Sequence, residues 1–348
     1  MLGGRHRAST MIRAHSGCRR VSASDRPTRA RRCSLVIAAV LVAGFGPASS
    51  VLARNILITN DDGLTSNVKY LHDVLKAAGH DVIVAVPCQQ QSGMGGALHI
   101  MKPLGPLATD CLNGAARKGD PGAGPITRSD LGADYHYVDG TPVMATLYGI
   151  DVASQARWGK APDLVISGPN IGRNVGGIVV SSGTVSNVQY AMMRGIPAIA
   201  LSASTATESG PDLVNPQSEV VARRVLQLMS RLEASANGGP LLPVATALNV
   251  NFPDDPLQAP WKLSRIGTTM AYDVRFVSDM RPKPAREGQP LPGLTFRILP
   301  TDKAGPEVKD EAAVASAAIS VSVMQMAYDA PKPLQSRAVQ RFKRLLSR

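Results

Sequence analysis

The stretch that most constrains the fold of this chain runs from Asn55 to Gly63 and reads Asn-Ile-Leu-Ile-Thr-Asn-Asp-Asp-Gly. Its short apolar half, β-branched in part, is typical of a buried β-strand. Leu64–Gly79 follows with apolar residues on one helical face and a glycine at its end, which predicts a helix. A second apolar strand, Asp81–Val86, comes next. This order predicts an α/β fold, a doubly wound and mostly parallel sheet.

Two adjacent carboxylates, Asp61 and Asp62, end the first strand. Open α/β sheets bind their ligands at the carboxyl ends of strands. Neighbouring carboxylates repel each other, and a hard divalent cation relieves that repulsion. Asp-Asp-Gly is also a common turn, in which one aspartate caps the next helix and the other is solvated. The motif alone leaves both interpretations open.

Two further loops leave strands that we expect near the first one. Cys88–Gly96 is polar and glycine-rich, and Ser92 can face the acidic pair because neighbouring parallel strands bring their carboxyl ends together. The strand Leu164–Ile166 runs into the small-residue loop Ser167–Gly176. In that loop Asn170 offers an amide oxygen, a typical neutral ligand of a hard cation.

The segment Ser181–Thr184 opens a helix that we expect to end near Arg194. Backbone N–H groups and hydroxyls at a helix amino end can form a phosphate cradle. The same residues also make an ordinary N-cap. Both interpretations stay open on the residues alone.

Outside these motifs the sequence indicates loops and extensions. Residues 103–134 are rich in Gly, Pro and Asp and predict a surface insertion without packed elements. Residues 143–150 predict a helix that begins after a proline. Residues 261–300 predict β-hairpins that project from the sheet as a carboxy-terminal extension. The predicted domain therefore covers residues 54–330, and a basic terminal helix covers residues 331–348.

The net charge of +12 is concentrated at the two ends of the 348-residue chain. Residues 1–53 hold nine arginines and one acid, and residues 335–348 hold five basic residues and no acid, so the sequence between them is close to neutral. Aromatic residues make up only 4% of the chain. A near-neutral core with few aromatics argues against nucleic-acid duplex binding.

Residues 1–53 have the pattern of a secretory signal peptide: an arginine-rich flank, the apolar stretch Ser34–Gly46, and small residues before a cleavage site after Ala53. The apolar stretch is short for a transmembrane helix, so no stable membrane insertion is expected after cleavage. The mature chain is predicted to be periplasmic or secreted, and the alternative is an uncleaved membrane anchor or a disordered, mispredicted start. In an exported chain Cys88 and Cys111 could form a disulfide or remain free thiols.

Together the motifs resemble the SurE family of stationary-phase survival proteins, which are acid phosphatases acting as 5′/3′-nucleotidases. The resemblance covers most of residues 54–325. It depends on the order and spacing of five motifs, each weak alone. They are Asn60–Gly63, Gln91–Gly93, Gly140–Pro142, Pro162–Gly176 and Ser182–Val185.

The resemblance implies a doubly wound α/β core whose carboxy-terminal extensions form homodimers or homotetramers. It also implies one divalent cation per subunit, Mn²⁺ or Mg²⁺. Matched residue by residue, the four ligands of this cation are Asp61, Asp62, Ser92 and Asn170.

The reaction implied is hydrolysis of a nucleoside monophosphate, or another small phosphomonoester, by a metal-activated water. Asp61 or Asp62 would orient or deprotonate that water. No His or Cys lies in the motifs, so a phospho-enzyme through either is not indicated. The residues that would hold the phosphate oxygens are Asn174, Ser182, Gly183 and Thr184.

The sequence departs from the family in places that bear on substrate and location. The family commonly has an acidic pair where this chain has Gly177 and Ile178, and a tyrosine where it has Ser181. The family is typically cytoplasmic, which is the alternative location for this chain. Rival functions on such a fold are a non-catalytic nucleotide- or phosphate-binding protein and a sugar-nucleotide glycosyltransferase.

Overall fold

The structure is a computed structural model, and the predicted signal peptide lies outside its described residues except for Ala53. The ranges that it describes are 53–267, 269–281, 288–299, 309–326 and 328–346.

Within these ranges most strands belong to one sheet, whose order is β3-β4-β2-β1-β5-β6-β7-β11-β8. The six strands from β4 to β7 in this order are parallel, whereas β3 and β11 run antiparallel to β4 and β7. The predicted doubly wound, mostly parallel sheet is therefore confirmed. The strand bounds are β1 (Asn55–Thr59), β2 (Asp81–Pro87), β3 (Ala123–Pro125), β4 (Tyr135–Val138), β5 (Leu164–Ile171), β6 (Ala198–Ala203), β7 (Thr246–Asn251), β8 (Trp261–Ser264), β9 (Tyr272–Val277), β10 (Gly293–Ile298) and β11 (Ile319–Gln325).

The centre of the sheet contains the topological switch point. Ile56 of β1 lies opposite Val82 of β2 on one side and opposite Leu164 of β5 on the other. From β1 the chain first adds β2 and β4 on one side of this strand. It then crosses to the other side of β1 and adds β5, β6 and β7 there. The carboxyl ends of β1 and β5 therefore meet where doubly wound folds bind their ligands.

Helices cover both faces of the sheet. Ile56 and Ile58 of β1 pack in the same apolar cluster as α1 and α5, whereas Leu57 points to the opposite face and packs with α4. The helix bounds are α1 (Ser66–Ala77), α2 (Pro142–Tyr148), α3 (Ser154–Trp158), α4 (Gly183–Met193), α5 (Pro216–Ala236), α6 (Glu311–Val314) and α7 (Lys332–Leu346).

The helix predicted over residues 143–150 is longer than expected. It continues from α2 through a π-helical turn, Gly149–Ala153, into α3. Ile150 and Ala153 are buried against the sheet, so packing favours continuation. The helix ends at Gly159, which adopts the left-handed conformation.

The prediction of an unpacked insertion over residues 103–134 is wrong. Leu107 and Ala116 are buried in the main core, and β3 within this segment pairs with β4. A disulfide joins Cys88, which follows β2, to Cys111 in the segment. The Gly and Pro content reflects tight turns, while a few apolar side chains and the disulfide attach the segment to the core.

The carboxy-terminal extension differs in part from the prediction. Trp261–Ser264 joins the main sheet beside β11 and does not project from it. The predicted hairpin is formed by β9 and β10, which pair antiparallel. The predicted terminal helix corresponds to α7. Among the helices of the described ranges, none combines the length and apolar character that crossing a membrane requires.

Candidate active site

The acidic pair lies in a tight turn at the carboxyl end of β1. Asn60 builds this turn, since its Nδ2 donates to Gly63 O (2.7 Å) and its Oδ1 accepts from Gly63 N–H (3.2 Å). The turn directs Asp61 and Asp62 inward, where each is only 3% exposed. Burial of two adjacent carboxylates is unfavourable unless positive charge or hydrogen bonds compensate.

Asp61 is held by the amino end of α4. The hydroxyl of Thr184 donates to Asp61 Oδ1 at 2.6 Å. A Cβ on Gly183 would lie 2.7 Å from Asp61 Cβ, so only glycine allows this approach. Burial raises the pKa of Asp61, and hydrogen bonds from Thr184 and from the backbone at Gly183 offset part of that rise.

Fewer hydrogen bonds stabilise the charge of Asp62 than the charge of Asp61. Ile171 N–H, at the end of β5, donates to Asp62 Oδ2 at 2.8 Å. Burial and then the charge of Asp61, with a smaller effect from Glu208, raise the pKa of Asp62 well above its ordinary value. In the described part of the chain no Lys, Arg or His is among the groups that shift the pKa of Asp61 or Asp62, and a bound cation would keep both carboxylates ionised.

Asn170 supplies an unsatisfied acceptor near this pair. A bulge between Ser167 and Asn170 interrupts the pairing of β5 with β6. Asn170 Nδ2 donates to Gly172 O (2.7 Å), while its Oδ1 is buried and has no hydrogen-bond partner among the described residues. A buried acceptor without a donor is costly, and a cation would satisfy it.

Ser92 comes to the same cleft from the loop after β2. Gln91 N–H donates to Asp61 O (2.8 Å), which fixes this loop beside the acidic turn. Ser92 is exposed, and Gln90 Nε2 donates to its Oγ at 2.5 Å. The hydroxyl oxygen keeps a further lone pair for a ligand.

Asp61, Ser92 and Asn170 line one cleft of about 410 Å³, and Asp62 lies next to it through its bond to Ile171. The donors are carboxylate, hydroxyl and amide oxygens, which suit a hard divalent cation. No group of three His, Cys, Asp or Glu side chains that could share a metal ion occurs in the described part of the chain. The predicted ligands are therefore two carboxylates, one hydroxyl oxygen and one amide oxygen, and this mixed set of oxygens fits a hard cation.

The residues predicted to bind phosphate divide into two groups. Asn174 and Ser182 line the cleft. Asn174 Nδ2 donates to Ser202 Oγ (3.0 Å), and Ser182 Oγ accepts from Val185 N–H as the N-cap of α4. Thr184 is fully buried, and its hydroxyl already donates to Asp61.

In the structure Thr184 and Gly183 support Asp61, and their predicted contact with phosphate stays a prediction. The cleft also contains residues that the sequence analysis did not single out. Ile178 and residues of the β9–β10 hairpin also line it. The alternation of apolar residues along β9 and β10 is the signal that could have indicated them.

A larger cavity of about 590 Å³ adjoins this cleft and shares Gly172, Arg173 and Tyr272 with it. None of the predicted cation ligands lines it. We therefore place the candidate chemistry in the smaller cleft, where the acidic pair and the unsatisfied amide oxygen occur together.

The fold and the site define a doubly wound α/β protein with an acidic, oxygen-lined cleft at its switch point. Residues 56–273 match the family described as "Survival protein SurE". The chain therefore belongs to the SurE family, as the motifs predicted.

The names of similar proteins are consistent with membership of this family. The chain is 31% identical to the "5′-nucleotidase SurE" of Thermosipho melanesiensis over 63% of this chain and 73% of that protein. It is 34% identical to an "Acid phosphatase" of Yarrowia lipolytica over 57% of this chain, but the match spans only 56% of that protein. The solved structure of a SurE protein from Aquifex aeolicus matches with a TM-score of 0.58 and 27% identity, over 81% of this chain and 97% of that one.

Proposed function

We propose that this protein is a metal-dependent phosphomonoesterase that hydrolyses nucleoside 5′- and 3′-monophosphates. The observation that carries the proposal is the unsatisfied Oδ1 of Asn170, which lines the same cleft as the buried Asp61. The names of its relatives, 5′-nucleotidase and acid phosphatase, support the same reaction class.

The residues that would hold one divalent cation, Mn²⁺ or Mg²⁺, are Asp61, Asp62, Ser92 and Asn170. When bound, such a cation offsets phosphate charge and lowers the pKa of a coordinated water. The protein's own contribution is to fix these oxygens before substrate arrives: Thr184 orients Asp61, and Ile171 N–H orients Asp62.

The acidic pair would also handle the proton. The attacking water forms a bond to phosphorus while the bond from phosphorus to the ester oxygen breaks, and the products are inorganic phosphate and the nucleoside. Asp61 or Asp62 would accept the proton of the water and return it to the leaving ester oxygen, so that the nucleoside leaves with its hydroxyl group. Asn174 and Ser182 would donate to phosphate oxygens at the cleft wall.

Phosphate release tests the proposal. The purified protein would be assayed on 5′-AMP, 3′-AMP and p-nitrophenyl phosphate with Mn²⁺, with Mg²⁺ and with a chelator. We expect turnover that requires the metal and stops with the chelator. A folded protein that binds nucleotides with metal present but releases no phosphate would contradict the proposal and support a non-catalytic nucleotide-binding protein.

We also propose a periplasmic or secreted location and a homodimer or homotetramer. The arginine-rich flank and apolar stretch within residues 1–53 support export. The amino-terminal sequence of the protein recovered outside the cytoplasm would identify cleavage after Ala53, and light scattering would give the subunit number. Retention of the whole chain in the cytoplasm would contradict the export proposal.

A further inference from the structure

The terminal helix α7 is amphipathic, and the proposed chemistry does not use it. Its apolar residues recur at intervals of three or four positions, which is the spacing of one helical face. The same spacing gathers its basic residues on the opposite face. The backbone leaves helical geometry only at Phe342, in the last part of α7. The apolar residues are Leu334, Ala338, Val339, Phe342 and Leu345, and the basic residues include Lys332, Arg337, Arg341 and Lys343.

The rest of the described chain leaves the apolar face of α7 open to solvent. Leu334, near the start of the helix, is 54% exposed, and Leu345, near its end, is 76% exposed. Val339 and Phe342, between them, are exposed as well. Every side chain of α7 that the structure describes is exposed. A contiguous apolar face of this kind marks a surface that binds a partner.

The charge of the segment has one sign. The sequence from Ala330 to Arg348, which contains α7, has no acidic residue. Lys332 and Arg341 lie beside the apolar face in the helical arrangement, where long side chains can reach past it to a charged surface. A lipid surface with anionic headgroups matches both features, because the cations contact phosphate and the apolar side chains enter the acyl boundary.

A second copy of this chain matches the same face less well. Two copies of α7 packed against each other would bring cations of like charge together. The sequence between the two basic ends is close to neutral, so another subunit carries no excess of acidic residues to oppose the helix. Interfaces between proteins are depleted in lysine, whereas helices that lie on membranes are rich in lysine and arginine on their polar face.

We propose that α7 binds the surface of a membrane that contains anionic phospholipids. Its 15 residues are too few to span a bilayer, so the helix lies in the interface and does not insert through it. Phe342 and Leu345 enter the acyl boundary, while Arg337 and Arg341 contact headgroup phosphates. The proposal concerns where the protein is held and does not depend on the proposed phosphatase activity.

Sedimentation with lipid vesicles tests the proposal. The protein is used as residues 49–348, which form one compact unit. This excludes the arginines of residues 1–53, which would bind anionic lipid by themselves. One set of vesicles contains phosphatidylcholine alone, and the other contains equal parts of phosphatidylcholine and phosphatidylglycerol. We expect binding to the mixed vesicles that sodium chloride weakens, and little binding to phosphatidylcholine alone.

Two triple variants test the contribution of charge. The first removes three cations of α7, and the second removes three exposed cations elsewhere as the matched control. The first should weaken binding to the mixed vesicles by about 100-fold, from the attraction typical of three basic residues at an anionic surface. The control should bind like the wild-type protein. The variants are Arg337→Gln/Arg341→Gln/Lys343→Gln and Arg117→Gln/Lys118→Gln/Lys262→Gln.

Two double variants test the contribution of the apolar face. Phe342→Ala/Leu345→Ala should weaken binding by about tenfold or more, because two large apolar side chains no longer leave water. Ser336→Ala/Gln340→Ala changes the polar face of the same helix and should bind like the wild-type protein. Urea unfolding of each variant verifies that the fold is retained.

Three outcomes would overturn the proposal. The first is a wild-type protein that does not sediment with the mixed vesicles at low salt. The second is an equal loss of binding in the two triple variants, which would make the attraction a property of the whole surface and not of α7. The third is a wild-type protein that ignores both kinds of vesicle while Phe342→Ala/Leu345→Ala lowers the mass measured by light scattering, which would make the apolar face a subunit contact.

Discussion

At the scale of single residues, Thr184 is a predicted phosphate ligand whose hydroxyl supports a carboxylate in the structure. Its hydroxyl donates to Asp61 Oδ1 and accepts from Asn174 Nδ2 at 3.3 Å. Thr184 thereby links a predicted cation ligand to a predicted phosphate ligand while remaining fully buried. Partners of this kind orient ligands and tune their basicity.

Replacement of Thr184 by Val should weaken the site without removing a cation ligand. The variant keeps the shape of the side chain but leaves Asp61 without its shortest hydrogen bond. We expect Mn²⁺ affinity, measured by calorimetry, to fall by about 10- to 100-fold, as is typical for loss of an outer-shell partner. Thr246→Val, at the start of β7 and away from the cleft, is the control; equal affinities for all three proteins would contradict this role.

At the scale of elements, Glu311 joins parts of the chain that are far apart in sequence. It lies at the start of α6, is fully buried, and accepts from Gly176 N–H (2.9 Å), Asn249 Nδ2 (3.0 Å) and Ser322 Oγ (3.0 Å). It thus connects the site loop with β7 and β11. Burial raises the pKa of Glu311 to about 7, more than these hydrogen bonds lower it, and nearby Asp310 adds to the rise.

This raised pKa predicts a pH dependence of stability. The unfolded pKa is near 4.5, so the stabilising contribution is complete below that pH and is lost as the pH rises through about 7. Between pH 4.5 and 7.5 the wild-type protein should lose on the order of 1–3 kcal/mol of unfolding free energy relative to Glu311→Gln. Urea unfolding across this range measures the difference, with Glu219→Gln, in the first turn of α5, as control. Parallel pH curves for wild type and Glu311→Gln would contradict the prediction.

The disulfide is a second link between parts of the chain that are distant in sequence. Cys88 follows β2, and Cys111 lies in the segment of residues 103–134 that packs on the core. The two cysteines are 23 residues apart in the sequence. Closing a loop of this length stabilises a protein by about 3 kcal/mol in the chain-entropy account. The Cys88→Ser/Cys111→Ser variant should lose roughly that amount in urea unfolding, and reductant should affect only the wild type. An unchanged midpoint in the double variant would contradict the contribution.

At the scale of the whole molecule, the parallel core could be predicted from the sequence, because each of its strands is an apolar run followed by a polar loop. The proximity of Asp61, Ser92 and Asn170 in one cleft followed from one geometric rule, that parallel strands bring their carboxyl ends together. Residues 103–134 could not be predicted in the same way, since few of their side chains are apolar and their attachment depends on a disulfide. The prediction that Trp261–Ser264 projects from the sheet was wrong, because this strand pairs with β11, which is distant in sequence.

The position of the β9–β10 hairpin beside the cleft was missed for a related reason. Alternation along β9 and β10 indicates an apolar face but not what that face contacts. Its position beside the cleft depends on Tyr272 Oη, on the bridge between Gly176 and Met270, and on the space left by Gly177. None of these contacts is encoded in a local pattern, so only the folded structure reveals them.

The most direct test of the central claim is kcat/KM for 5′-AMP with Mn²⁺ in Asp62→Asn beside the wild-type protein. Asp110→Asn, in an exposed loop, is the matched control. We predict a loss of about 10³-fold or more in Asp62→Asn with no loss of folded stability, because a cation bound there would supply several kcal/mol of transition-state stabilisation. The control should retain full activity. An Asp62→Asn protein that stays within about tenfold of wild type would contradict a cation site at the carboxyl end of β1.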